Sequence, residues 1–215
     1  TGARALFHSS NNVSREEWRT YVDALHLQAF YPGIQGIGFA AYVRQSQLRA
    51  HQEGVRAEGF PDYQVHPPGL RAEYGAITFI EPFDWRNQRA FGYDMLAEPV
   101  RRQAMLRSLE LGLPVLSGKV RLLQETASAP QAGVLLYLPL FRKGASLRTP
   151  EQREKALLGW VYSPFRMGDL ITGTVNTSDT RVRLRIYDGH DTTPDALLYD
   201  SHPERTAVAA AAAAA

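Results

Sequence analysis

The feature that most restricts the fold is a run of nine residues, Gly133–Phe141, which is the most apolar stretch of the chain. It is too short for a membrane span, which needs roughly 18 apolar residues. A run of this length is typical of a β-strand that is covered on both faces, or that has a core wall on one face and a pocket wall on the other. Other apolar stretches predict further strands at 34–42, 76–80 and 157–165.

Helix signals separate these strands. Ser14 and Glu17 have the spacing of a capping box ahead of an apolar stripe at helical spacing. A second helix is predicted at Pro99–Leu111, with Pro99 in the first turn and Gly112 at the stop. Further helices are predicted at 45–59, 149–154 and 167–174. Because helices and strands do not alternate in βαβ order, we predict an α+β fold with antiparallel sheets rather than a doubly wound sheet.

The segment 181–188 alternates strictly between arginine and apolar side chains, which predicts a half-exposed antiparallel strand. Its apolar residues, Val182 among them, are expected to point inward and its three arginines into water. A turn at Asp188 and Gly189 should bring residues 196–199 back to pair with it.

Composition excludes several function classes. The chain contains no cysteine, which excludes a structural disulfide, a thiolate zinc site and a cysteine nucleophile. A net charge of +2 gives no strong electrostatic footprint for nucleic acid. The sequence shows neither a signal peptide nor a membrane span. The alanine-rich tail at 207–215 is left without interpretation.

No established catalytic motif is found. Residues 36–41 match the glycine pattern of a dinucleotide-binding turn, but the motif lies within a predicted strand, so close backbone packing is the better interpretation. Asp188, His190, Asp191 and His202 lack regular ligand spacing, so we predict no metal site and no cofactor. The residues thus indicate a non-enzymatic module, with a hydrolase as the remaining alternative.

Asp94 is the most informative polar residue, because it stands between Tyr93 and Met95 just ahead of a helix start. A carboxylate there can accept hydrogen bonds from a small molecule, while its neighbours supply apolar walls. The alternative is that Asp94 only satisfies backbone N–H groups of the turn before the helix.

Several separated motifs, in order along nearly the whole chain, resemble the CHASE domain. They are residues 31–39 (YPGIQGIGF), 91–94 (FGYD), 98–101 (EPVR), 116–120 (LSGKV) and 131–139 (QAGVLLYLP). That family is the extracytoplasmic sensor of membrane-bound histidine kinases and diguanylate cyclases, and of plant cytokinin receptors. The Glu-Pro-Val form at 98–100 is shared by bacterial members, so the resemblance implies a bacterial receptor.

The resemblance also implies an architecture. We expect an N-terminal stalk helix at 1–32, a membrane-distal PAS-like unit at 33–148 and an incomplete membrane-proximal PAS-like unit at 149–206. The domain would form a homodimer through the stalk helix. It would be the periplasmic part of an inner-membrane protein, anchored by spans outside this sequence, and would not itself be an enzyme.

For the ligand, the resemblance implies a small molecule in the distal unit, such as a purine of the cytokinin type. Plant receptors have Ser-Gly where this chain has Ala97, Glu98 and Pro99. Asp94→Ala is expected to remove binding and leave the fold intact. The rival class is a protein-interaction module without an internal pocket. The resemblance places the polar contacts at Asp94, at a backbone group of Leu116 and at Thr126. The predicted apolar walls are Tyr93, Met95, Leu136 and Leu138.

Overall fold

A five-stranded antiparallel sheet forms the centre of the molecule. The computed structural model describes residues 2–10, 13–125, 131–175 and 182–203. The strands run in the order β2-β1-β5-β4-β3, and the prediction of an α+β fold is confirmed. Their bounds are β1 Ile37–Arg44, β2 Glu73–Glu81, β3 Val115–Leu116, β4 Gly133–Phe141 and β5 Leu157–Arg166.

The strand β5 lies in the middle of this sheet, between β1 and β4. Tyr162 of β5 stands opposite Gly38 of β1 on one side and Tyr137 of β4 on the other. This differs from the predicted division of the chain at 148/149, which assigned β5 to the second unit. Local sequence patterns do not specify strand partners, and a strand paired on both sides can come from any part of the chain.

Among the described residues up to 30, the structure has three short helices in place of the predicted continuous stalk helix. They are α1 (Gly2–Ser9), α2 (Arg15–Asp23) and α3 (Leu27–Phe30). The predicted capping box of Ser14 and Glu17 is present at the start of α2. Between α2 and α3, His26 adopts a left-handed conformation with φ of 48° and ψ of 49°, which turns the chain. The helices therefore fold onto one face of the sheet, where Trp18, Val22 and Leu27 are buried.

The other face of the sheet is covered by α5 (Pro99–Leu111), whose predicted bounds are confirmed. Both Glu98 carboxylate oxygens accept hydrogen bonds from N–H groups of its first turn, and Gly112 ends it with φ of 67°. The indole Nε1–H of Trp160 donates to the Met105 carbonyl oxygen at 3.1 Å. These contacts fix α5 against the sheet and enclose the largest core cluster.

The other α-helices in the described residues are α4 (Leu48–Ala57), α6 (Pro150–Ala156) and α7 (Met167–Thr174). A second sheet pairs β6 (Arg185–Tyr187) with β7 (Leu197–Asp200), as the alternating pattern predicts. Two details of that prediction are wrong. Val182 is 67% exposed instead of inward, and Arg183 and Arg185 form ion pairs with Asp200 instead of pointing only into water.

The glycine motif at 36–41 begins one residue before β1 and continues within that strand. This position agrees with its interpretation as close backbone packing. A Cβ at Gly36 would lie 2.6 Å from the Glu81 carbonyl oxygen, and a Cβ at Gly38 would overlap the ring of Tyr162. Neither position has room for a side chain. Across the described ranges, none of the helices has the length and apolar character required to cross a membrane.

Candidate functional site

Asp94 is completely buried where the chain passes from β2 towards α5. It caps a 3-10 helix, Met95–Ala97. Its Oδ1 accepts hydrogen bonds from the backbone N–H groups of Gly75 at 2.8 Å and Leu96 at 3.0 Å. Asp94 thus accepts one N–H group of the turn, that of Leu96, as the alternative interpretation expects, and one N–H group of β2, that of Gly75. This role leaves Oδ2 as the oxygen that faces another partner.

That partner is Arg71, whose Nε–H donates to Asp94 Oδ2 at 2.7 Å. The Arg71 guanidinium also donates to the Pro67 carbonyl oxygen at 2.6 Å and lies 5.1 Å from the ring centroid of Tyr74. The Arg71 side chain is 24% exposed, so it connects the buried carboxylate to the surface. A carboxylate offers about four acceptor positions, and three of those on Asp94 are in use.

Arg71 is held in place by its own loop. The Tyr74 hydroxyl accepts the Arg71 backbone N–H at 3.0 Å and donates to the Gly69 carbonyl oxygen at 3.0 Å. No sequence signal pointed to Arg71, because it lies in a loop 23 residues from Asp94 in the chain. Only the folded loop brings the guanidinium to the carboxylate.

The structure brings two of the predicted apolar walls together with Asp94. Met95 is buried in the core between the sheet and α5, and Tyr93 packs against the same core. Leu138 instead packs with α1–α3 on the opposite face of the sheet. Leu136 is two residues from Leu138 on the same strand, so the two side chains share that face. The sheet thus separates these leucines from Asp94.

Of the two predicted polar contacts besides Asp94, Leu116 belongs to β3, the strand at the edge of the sheet. Its side chain is 55% exposed, and it stands opposite Leu136. Thr126 lies outside the described residues. Its neighbour Glu125 is buried and accepts a hydrogen bond from Arg166 Nε–H at 3.2 Å.

Two buried tyrosines belong to the core cluster that also contains Met95 and Leu96. Tyr137 and Tyr162 are at most 1% exposed, and burial raises the pKa of both hydroxyls. Sequence reasoning did not single them out, although a signal existed. Alternation along β4 puts Tyr137 on the face opposite Leu136 and Leu138, which is the face that Met95 covers.

A buried cation lies at the start of α5. Arg101 donates from one terminal nitrogen to Glu98 Oε2 at 3.2 Å and from the other to the Arg121 carbonyl oxygen at 2.8 Å. Its guanidinium carbon lies 5.5 Å from the ring centroid of Tyr93. Together with Asp94 and the tyrosines, this arrangement offers hydrogen-bond donors and acceptors next to apolar walls, which suits recognition of a small molecule.

A separate surface cleft of about 340 Å³ lies beside α2 and α3. Its lining includes Val22, Asp23, His26 and Pro82, and it contains none of the predicted site residues. The region around Asp94 is distinguished from this cleft by its buried ion pair with Arg71.

Comparison with known proteins identifies the family. The model of the CHASE domain matches residues 11–199 of the 215-residue chain. No curated protein matches the chain. CHASE domains are extracellular sensor domains of signalling receptors and are not catalytic. With most of its length matched, and with the α+β architecture described above, the chain belongs to the CHASE domain family.

Proposed function

We propose that this domain is the ligand-binding sensor of a bacterial transmembrane receptor whose output is a histidine kinase or a nucleotide cyclase. It lies in the periplasm as part of an inner-membrane protein. Family membership supports the sensor role. The antiparallel sheet with a helical layer on each face supports a PAS-like first unit.

The observation that carries ligand binding is the Asp94–Arg71 pair. A completely buried carboxylate is connected to the surface by one partly exposed guanidinium. A ligand with an N–H donor takes the place of Arg71 at Oδ2, while Oδ1 keeps its two backbone hydrogen bonds. A purine of the cytokinin type has such donors. Tyr93 and Met95 form walls of this site, and Leu116 and Thr126 are further candidates for polar contacts.

Displacement of the Arg71 side chain by the ligand provides a mechanism for the signal. Arg71 ties its loop to Asp94 through contacts with Pro67 and Tyr74. Once a ligand occupies Oδ2, the loop is released from the carboxylate and the Asp94-capped 3-10 helix shifts. Binding thereby favours one of two arrangements of the domain, and its free energy sets how far the equilibrium moves.

Calorimetric titration with isopentenyladenine tests this function. We expect saturable binding to the wild type, at least tenfold weaker binding to Asp94→Asn, and tighter binding to Arg71→Ala, because the competing donor is gone. Asp169→Asn is the matched control, since Asp169 also pairs with an arginine, Arg166, at 2.8 Å. Wild-type affinity in Asp94→Asn contradicts the assignment of the site.

A second candidate is a sensor that recognises a protein partner. The close filling of the core by Trp160, Tyr137 and Met105, all without exposed surface, favours it. This alternative predicts that adenine-type probes neither give heat nor raise the unfolding temperature of the wild type.

We also propose that the domain is a homodimer through its N-terminal helices. Sedimentation analysis is expected to show a species of twice the 24.0 kDa chain mass. A purely monomeric domain at high concentration would contradict this.

A further inference from the structure

A second cavity adjoins the surface cleft beside α2 and α3. Its volume is about 170 Å³, and its lining shares Leu27, Gln28 and Pro82 with that cleft. The two cavities therefore form one groove between the N-terminal helices and the loop that follows β2, which we call the helix–loop groove. Its lining residues come from three segments, 22–29, 34–35 and 82–87. None of them belongs to the site proposed above.

The two ends of the helix–loop groove differ in polarity. Val22 and Ala29 supply apolar surface at the end beside α2. The other end is lined by three side-chain amides and one carboxylate, which are those of Gln28, Gln35, Asn87 and Asp84. A groove of this kind suits an amphipathic small molecule, with its polar group among the amides and its apolar body against α2.

Asn87 carries an acceptor that the protein does not use. Asn87 is 1% exposed, and its Nδ2 donates to the carbonyl oxygens of Gln35 at 3.1 Å and Pro82 at 2.8 Å. These two bonds define the orientation of the amide. Its Oδ1 has no hydrogen-bond partner among the residues that the structure describes. Unpaired buried acceptors are rare in native proteins, and since Asn87 lines the groove, a ligand there can supply the missing donor.

The charges along the groove favour a cationic donor. Asp23 and Asp84 are exposed carboxylates at its two ends, and neither forms an ion pair with a described residue. Oδ1 of Asp84 accepts the backbone N–H groups of Arg86 at 3.0 Å and Asn87 at 2.9 Å, which leaves Oδ2 for a ligand. Arg86 also lines this end, but its guanidinium carbon lies 5.6 Å from the ring centroid of Trp85 and is paired with neither aspartate.

We propose that the helix–loop groove is a second ligand site, for a small amphipathic primary amine. The ammonium group donates to Asn87 Oδ1 and is attracted by the carboxylates of Asp23 and Asp84, while the apolar body covers Val22. This inference does not depend on the site at Asp94. Because the groove lies between α3 and the loop after β2, its occupant ties the N-terminal helices to the sheet.

Benzylamine and benzyl alcohol are the probes for the test, because they share an aromatic body and differ in the charged donor. Titration is followed by two-dimensional NMR of the ¹⁵N-labelled wild-type domain. We expect benzylamine to bind about three- to tenfold more tightly, as a charge-assisted hydrogen bond provides. The side-chain amide signal of Asn87 and the backbone signals of 22–29 and 82–87 should move on binding.

The variant Asp23→Asn/Asp84→Asn removes both charges and keeps the shape of each side chain. The new amide oxygen at position 84 can still accept the two backbone N–H groups, so the loop is retained. In this variant the preference for benzylamine should disappear. Asp62→Asn/Asp191→Asn is the matched control, since it makes the same charge change at two exposed aspartates outside the groove and should keep the preference.

Equal affinity of the two probes for the wild type overturns the inference, and so does an unchanged preference in Asp23→Asn/Asp84→Asn. Loss of the preference in the control variant also overturns it, because net charge alone then explains the binding. Signal changes that leave out Asn87 show that the buried acceptor is not engaged and reject the site. Absence of binding by both probes rejects it too, whereas the function proposed at Asp94 is tested separately with isopentenyladenine.

Discussion

Asp94 carries a negative charge into a location without solvent, where two backbone N–H groups and one guanidinium stabilise it. Removing a buried hydrogen-bonded charge leaves its partners unsatisfied, which costs more than the bonds themselves contribute. The expectation that Asp94→Ala would leave the fold intact does not agree with these contacts. Asp94 has a structural role in addition to the binding role that we propose.

Asp94→Asn is accordingly expected to lower the free energy of unfolding by about 2–4 kcal/mol, since an amide cannot compensate the charge of Arg71. Urea unfolding at neutral pH measures this change. Arg71→Gln, which keeps a donor for the carboxylate, should cost less. Equal stability of wild type and Asp94→Asn would show that the ion pair contributes nothing.

His51 gives the domain a pH-dependent contribution to stability. Burial lowers its pKa from 6.5 to about 4, with a smaller effect from the charge of Arg15. The unfolded chain therefore takes up a proton at higher pH than the folded domain does. The contribution of His51 to the unfolding free energy is fully present above pH 6.5 and is lost as the pH falls towards 4.

Between pH 7 and pH 5 we expect this histidine to remove about 2 kcal/mol of unfolding free energy. Urea unfolding of the wild type and of His51→Gln at both pH values isolates the effect, because all other titrating groups are shared. The difference between the two proteins should shrink at pH 5. A constant difference would mean that His51 titrates alike in both states.

At the scale of elements, α2 is attached to the sheet by its first residue, Arg15. The Arg15 guanidinium carbon lies 4.4 Å from the ring centroid of Phe60, and Phe79 and Phe91 are also within reach. One terminal nitrogen donates to the Thr78 carbonyl oxygen at 2.8 Å. Since Phe91 is three residues from Asp94, this contact joins the N-terminal helices to the candidate site.

Arg15→Ala should therefore lower the unfolding free energy by about 1–3 kcal/mol through lost stacking and hydrogen bonds. Arg49→Ala is the control, because Arg49 forms an ion pair with Glu53 at 2.8 Å on the surface and should leave stability unchanged. If the two variants are equally stable in urea, Arg15 does not attach α2.

Local sequence signals are sufficient to predict those helix ends that carry capping residues. Proline and glycine define both ends of α5, and the capping box defines the start of α2. The break at His26 was missed because the apolar stripe continues through it. The left-handed turn is favoured by burial of Leu27 against the sheet, which is a tertiary effect.

At the scale of the whole molecule, the sequence predicted the fold class but not the position of β5. In the same way, the sequence does not predict which distant residues come together at the candidate site. Asp94 was identifiable from its neighbours, whereas Arg71, Tyr137 and Tyr162 come from a distant loop and two different strands. The sequence alone does not assign a face of the sheet to each residue of β4, so it groups Leu136 and Leu138 with Asp94, whereas the sheet turns both leucines away from it.

Hydrogen–deuterium exchange of the wild-type domain, with and without saturating isopentenyladenine, tests the central claim most directly. We predict that the ligand changes exchange in two segments, 66–76, which contains Arg71 and the start of β2, and 92–97, which contains Asp94, with smaller changes at the start of α2 through Arg15. Changes confined to the cleft beside α2 and α3, or no change at all, would contradict a ligand site at Asp94.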